Sequence, residues 1–324
     1  MLKKCLRSRW PVVLAILMLG LLLVACAPPT PAPAAPAAKP VIKLVENPWS
    51  GSAVNVAVAK ILIQEQLGHP VEVVTLDENA QWAALAAGDL HASLEVWPSG
   101  HAENVAEYID GQKVVENGGL LGPVGEIGWF MPKYMVDQHS ELATWEGFKN
   151  PELAKLFATA ETGDKGQFLA GDPSWVQYEE QIIPNLGLPM QVVVAGSEEA
   201  ILAALSAAYS RQAPILFYFW TPHSVHAQFD LTQVELPAYS EACYAKSDSG
   251  GVDCAYPSDD LFKIFWAGLQ DYAPDVYTFL KNFNYTTMDQ IQMIAAVELE
   301  SKTAEEAARA WIEANEATWK GWMP

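Results

Sequence analysis

The stretch "MQVVVAGSEEAILAALSAAYSRQAPILFYFW", residues 190–220, reads as a strand, a helix and a second strand. A strand that returns to its sheet through one helix makes a right-handed βαβ unit and a parallel strand pair. The same alternation fills residues 41–97. "VIKLVEN" (41–47) is strand-like; Ser52 caps a helix with Val54, Val58, Ile61 and Leu62 on one face, and Gly68 ends it. "VEVVTL" is the next strand, Asn79 caps "AQWAALAAG", and "ASLEVW" closes the series. The fold class is α/β with a mostly parallel sheet. "GEIGWFMP" (125–132) reads as a strand crossing into a second segment. Helical patterns at 259–269, 274–282, 286–300 and 303–320 follow. Two lobes account for this order: residues 41–121 with 231–324, and residues 122–230, joined by crossovers near 122 and 230.

Ligands of such sheets gather beyond the carboxyl ends of the strands. Trp97 in "SLEVWPSGH" (93–101) and Trp220 in "FYFWTPH" (217–223) fall there, because a proline stops each strand just after the indole. Trp49 ("NPWSGS") and Trp175 ("GDPSWVQ") also sit in breaks. Trp82, Trp145, Trp266, Trp311, Trp319 and Trp322 lie within helical patterns and are expected in the core, while Trp129 falls in the crossing strand. A quaternary ammonium suits a cage of indoles. It offers no hydrogen-bond donor, and its methyl groups pack against ring faces whose quadrupole attracts the charge, at ~0.5–2 kcal/mol per ring.

The chain carries 19 basic and 39 acidic residues. Four of the basic ones, Lys3, Lys4, Arg7 and Arg9, precede the apolar run "PVVLAILMLGLLLVA" in a signal-peptide pattern; without them the balance is 15 against 39, net −24. That acidity argues against nucleic-acid binding, which needs basic surface. It suits a cationic or zwitterionic ligand. Residues 1–25 are expected to be cleaved. "LVAC" then puts Cys26 first in the mature chain, as in a lipobox, so that its thiol carries lipid and holds the protein outside the cytoplasmic membrane. The Pro/Ala stretch of residues 26–40 is a spacer. Cys243 and Cys254 flank a polar loop, "CYAKSDSGGVDC", and a disulfide is the expected state in an oxidising compartment; a zinc pair lacks a second half.

"VWPSGH", "NPELAKLF", "GDPSWVQYEEQ", "FYFWTPH" and "ARAWIEANEATWKGWM" together resemble the extracytoplasmic glycine betaine/proline betaine-binding proteins of ABC importers, over roughly residues 41–322. The resemblance implies a two-lobed type II periplasmic-binding-protein fold with the ligand cleft between the lobes. It implies a monomeric binding protein, not an enzyme and with no cofactor, that hands glycine betaine, proline betaine or choline to an ABC permease and its ATPase. It places the trimethylammonium group among Trp97, Trp175 and Trp220, with Trp49 as a fourth wall. It assigns the ligand carboxylate to His101 and to the backbone N–H groups of Val176 and Gln177. His223 is a further candidate at the polar end.

A second reading takes His223, His226 and Asp230 as ligands of an extracytoplasmic metal-binding protein, which would leave the tryptophans unexplained. The acid pairs Glu179–Glu180 and Asp259–Asp260 read as solvated faces rather than acid–base chemistry, and "GxSxG" is absent.

Overall fold

The computed structural model describes residues 38–324; the signal-like segment, Cys26 and the spacer up to residue 37 lie outside the described residues. Strands β1 (Ile42–Glu46), β2 (Val71–Thr75) and β3 (Ala92–Val96) are parallel, with β1 in the middle. In the second half β5 (Gly166–Ala170), β6 (Met190–Val194) and β7 (Phe217–Thr221) are parallel, with β5 in the middle. The first triplet is the βαβ product the sequence predicts; in the second, the strands of the 190–220 stretch are parallel but do not pair with each other, because β5, a strand not read from the sequence, lies between them.

What joins them is antiparallel. β4 (Val115–Pro132) is 18 residues long and pairs with β9 (Ser258–Trp266) along its first part, then with β7 and the short β8 (Leu231–Gln233) along its second. The sheet therefore runs β2-β1-β3-β9-β4-β7-β5-β6, with β8 beside β4. It is mixed rather than mostly parallel. The crossing strand also begins ten residues earlier than "GEIGWFMP" (125–132) indicates.

The segment 259–269 is the clearest departure from the expected helices. Leu261, Phe262, Lys263, Ile264 and Phe265 are all buried, because β9 lies between β3 and β4 and is covered on both faces. A strand buried on both faces has no period-two pattern, and a short apolar run of that kind is not distinguishable from a helix by periodicity. Lys263 survives there because its ammonium donates to the carbonyls of Lys281 and Phe283.

The last helices follow the sequence: Pro274–Asn282, Thr287–Glu298, Ala304–Ala314 and Glu316–Lys320. Thr286 with Asp289, and Thr303 with Glu306, close reciprocal capping boxes that fix two of these starts. The helix Ser50–Leu62 starts before Ser52, whose hydroxyl instead accepts the Asn47 N–H. The helix Ala80–Ala87 is capped by Asp77, not Asn79: its carboxylate accepts the N–H groups of Asn79 and Ala80.

Two large apolar cores mark the lobes. Ile42, Leu44, Val58, Phe265, Phe279 and Trp311 belong to one, and Phe148, Phe168, Ile201, Leu205 and Phe217 to the other. Val234, Leu236, Cys243, Val252, Cys254 and Tyr256 are buried with the second core. Residues 231–256 thus pack with the second lobe, and the chain returns to the first through β9 rather than near 230. Cys243 and Cys254 are joined by a disulfide, Cα–Cα 6.5 Å.

Candidate functional site

The carboxyl ends of β1, β3, β5 and β7 face a common cleft. β1 delivers Trp49, β3 delivers Trp97, the turn after β5 delivers Trp175, and Trp220 stands near the end of β7. All four line one pocket, with about 500 Å³ of empty space counting its open mouth. Trp175 meets Trp220 at 90° with ring centroids 5.1 Å apart, and Trp49 at 82° and 6.4 Å. Perpendicular planes form the corner of a box. Tyr218, 6.1 Å from Trp175, adds a further face, and Ile127, Tyr178 and Tyr256 complete the apolar wall.

Two glycines let these rings lie against backbone. A Cβ on Gly125 in β4 would sit 2.2 Å from the Trp97 ring, and one on Gly171 would sit 2.4 Å from Trp175. Phe219 stacks behind Trp220 at 4.4 Å, so that indole cannot tip away from the cleft.

The indole N–H edges of Trp49 and Trp97 are anchored outside the box. Glu95, buried inside β3, accepts the Trp49 N–H at 2.8 Å and the Trp97 N–H at 3.1 Å on one oxygen. Its other oxygen accepts from Asn55 at 2.6 Å and Gln290 at 2.8 Å. Burial pushes the Glu95 carboxyl above the usual carboxylate range, and these four hydrogen bonds oppose the shift. A carboxylate on the N–H edge makes each ring face more negative, which favours a cation.

Glu179 and Asp259, expected on solvated faces, are buried beside the pocket; only their neighbours Glu180 and Asp260 are exposed. Glu179 accepts the Trp129 N–H and, at 2.7 Å, the hydroxyl of Tyr256, while its second oxygen has no partner among the described residues. Asp259 holds the N–H and hydroxyl of Ser99. Burial raises the pKa of both acids, and it keeps the Tyr218 and Tyr256 phenols neutral. Glu179→Gln removes a buried charge and supplies a donor in place of the unpartnered oxygen. The variant is expected to melt higher than wild type at pH well above the raised Glu179 value, and the gain should shrink as pH falls. The sign follows from linkage: the folded wild type binds the proton more tightly than the unfolded chain, so it loses stability as pH rises from the unfolded to the folded pKa. Melting curves across pH check this. A gain that is constant with pH would refute the assignment.

His101 and Val176, expected at the anionic end of a ligand, both meet a carboxylate of the protein itself. Glu78, in the turn after β2, accepts the Val176 N–H at 2.6 Å on one oxygen, and its other oxygen is 3.1 Å from His101 Nε2. The Asn104 amide donates to His101 Nδ1, which leaves Nε2 as the protonated nitrogen facing Glu78. Gln177 does not line the pocket; its side chain bonds Gly171 N–H and Asp172 carbonyl. Its own N–H makes no hydrogen bond among the described residues.

His223 lies behind the cage rather than in it. Its ring centroid is 5.7 Å from that of Trp220, its Nε2 is 2.7 Å from Glu198, and its Nδ1 accepts the Val225 N–H. His226 bonds the Trp220 carbonyl instead, and His223, His226 and Asp230 do not converge on a metal. Glu198, His223 and Glu298 do come together, and Glu198 and Glu298 accept from the Ser50 N–H and hydroxyl respectively. The Ser50 N–H to Glu198 bond, with Asn79 to the Ser174 carbonyl, ties the two lobes across the cleft, while Ser50 to Glu298 stays within the first lobe.

Glu78, Glu95, Tyr218 and Tyr256 were not among the residues singled out from sequence. An acid inside the buried run "SLEVW" was the one available signal, for Glu95.

A two-lobed α/β protein whose cleft is walled by four indoles and backed by buried carboxylates is a binding protein for a small organic cation. The comparisons agree. Residues 40–314 match the family described as the substrate binding domain of ABC-type glycine betaine transport system, and the chain belongs to that family. It is a transport component and not an enzyme. The chain is 28% identical over 298 residues to the trimethylamine N-oxide-binding protein of Pelagibacter ubique, covering 88% of this chain and 91% of that protein. The closed, glycine betaine-bound lactococcal OpuAC shares the fold with a TM-score of 0.69 at 20% identity, covering 88% of this chain and 100% of that one. An ABC-transporter choline-binding protein in complex with choline also scores 0.69, at 18% identity, covering 87% of this chain and 91% of that one.

Proposed function

We propose that this protein captures a trimethylammonium solute of the betaine and choline type outside the cytoplasm and delivers it to an ABC permease. One observation carries the reading: Trp49 and Trp97 from one lobe and Trp175 and Trp220 from the other wall a single pocket. Three or four ring faces, with methyl burial and one polar contact, reach the ~8 kcal/mol of a micromolar complex. Relatives named for trimethylamine N-oxide, glycine betaine and choline support the solute class. In this reading Cys26 carries the lipid, residues 27–40 are the tether, and the protein works as a monomer.

Calorimetry with choline, glycine betaine, trimethylamine N-oxide and a zinc salt tests it. Heat from at least one trimethylammonium compound, with a change in tryptophan fluorescence, is expected. Heat from zinc alone would overturn the reading in favour of a metal carrier.

A further inference from the structure

We propose that Glu78 occupies the carboxylate end of the pocket, so that the preferred solute is a trimethylammonium compound without a carboxylate. The inference rests on the solute-binding reading above and narrows it. A ligand carboxylate in this cleft would look to His101 and to the main chain after Trp175. Two of the three expected donors are already engaged by one side chain, Val176 N–H on one Glu78 oxygen and His101 Nε2 on the other, and the third, Gln177, does not line the pocket. Glu78 is itself buried and lines the pocket, so its charge stands inside the site.

A zwitterion brought into this cage would set its carboxylate beside that of Glu78, with the two donors at that end already taken. It would have to expel Glu78 from a buried, doubly bonded position. Such a built-in repulsive element is how sites discriminate between ligands that share an attractive half. The cage and Glu95 serve every trimethylammonium head alike, so the difference between solutes lies at this end.

The remaining polar groups suit a single uncharged or weakly basic oxygen. The Trp175 indole N–H is buried without an acceptor among the described residues, and Tyr218 presents a neutral phenol. A hydroxyl can donate to Glu78. An N-oxide oxygen can accept from Trp175 and Tyr218. Choline and trimethylamine N-oxide thus share the required chemistry and differ in whether they use Glu78 as a partner.

Competition calorimetry at neutral pH with the full-length mature protein distinguishes the cases. Choline or trimethylamine N-oxide is expected to bind at least about tenfold tighter than glycine betaine. In Glu78→Ala, which frees His101 and the Val176 N–H, betaine affinity should rise and the preference narrow by about tenfold or more. Loss of choline affinity in the same variant identifies a hydroxyl donor to Glu78, whereas unchanged N-oxide affinity identifies the oxygen with the indole. Glu78→Gln keeps an acceptor for Val176 and replaces the alanine variant if that one melts below the assay temperature. Betaine binding to wild type as tightly as the other two, or a solute preference unchanged in both variants, overturns the inference and leaves the solute-binding reading standing. Failure of all three solutes to bind removes that reading itself.

Discussion

Trp175→Ala is expected to weaken trimethylammonium binding about a hundredfold or more, and Trp175→Phe about tenfold. Trp175 is the central ring of the cage, edge-on to Trp49 and Trp220 and beside Tyr218. Its removal takes away one cation–π face and lets water into the corner that two further indoles share. The combined loss is about 3 kcal/mol, where 1.4 kcal/mol is a factor of ten. Phenylalanine keeps a smaller and weaker face, so the two variants should rank in that order. Trp175 is also part of the second core, and truncating a buried indole commonly costs about 3–5 kcal/mol of stability. Affinity is therefore measured with a melting curve at the assay temperature. A folded Trp175→Ala protein with wild-type affinity would refute the cage.

Glu95→Ala should be the most damaging single change outside the cage itself. Four donors, three of them buried, on Trp49, Trp97, Asn55 and Gln290, converge on this carboxylate. Two effects oppose each other. Deleting Glu95 relieves the cost of holding a charge in the interior, yet each stranded donor costs about 1–3 kcal/mol. Four orphans outweigh one desolvated charge, and a net loss of about 3 kcal/mol is expected in chemical denaturation. Glu95→Gln keeps one acceptor for the indoles but turns an amide toward two other amides, so an intermediate loss of about 1–2 kcal/mol is expected. Binding separates this role from a purely structural one. Because Glu95 orients Trp49 and Trp97, the folded Gln variant should lose affinity for choline, betaine and N-oxide by a common factor. A variant that loses stability but binds all three as wild type does would confine Glu95 to folding.

The four indoles were legible in the sequence because each sits at or just beyond the end of a regular element, close to a proline or glycine. Trp49, Trp97, Trp175 and Trp220 each announce themselves by that position, and they do share a pocket. The acids behind them were not legible. Glu78 looks like any turn carboxylate in "LDEN", and Glu179 like the first turn of an exposed helix; only the other lobe's Val176, and the Tyr256 of a distant loop, reveal what they hold. His101, expected to face a ligand carboxylate, instead meets Glu78 of the protein itself. The strand order failed at β9 for a different reason. Its burial on both faces erases the alternation by which a strand is read, and two long antiparallel connections cannot be counted until their partners are known.

β4 belongs to both lobes, and its ladder with β9 is irregular between Asn117 and Gly119 and again between Leu120 and Val124. Each half of the molecule can keep its own strand register while this short irregular stretch twists. The ladder between the two halves is thus interrupted where β4 passes from one lobe to the other, so a change in their relative angle would disturb the fewest strand bonds there.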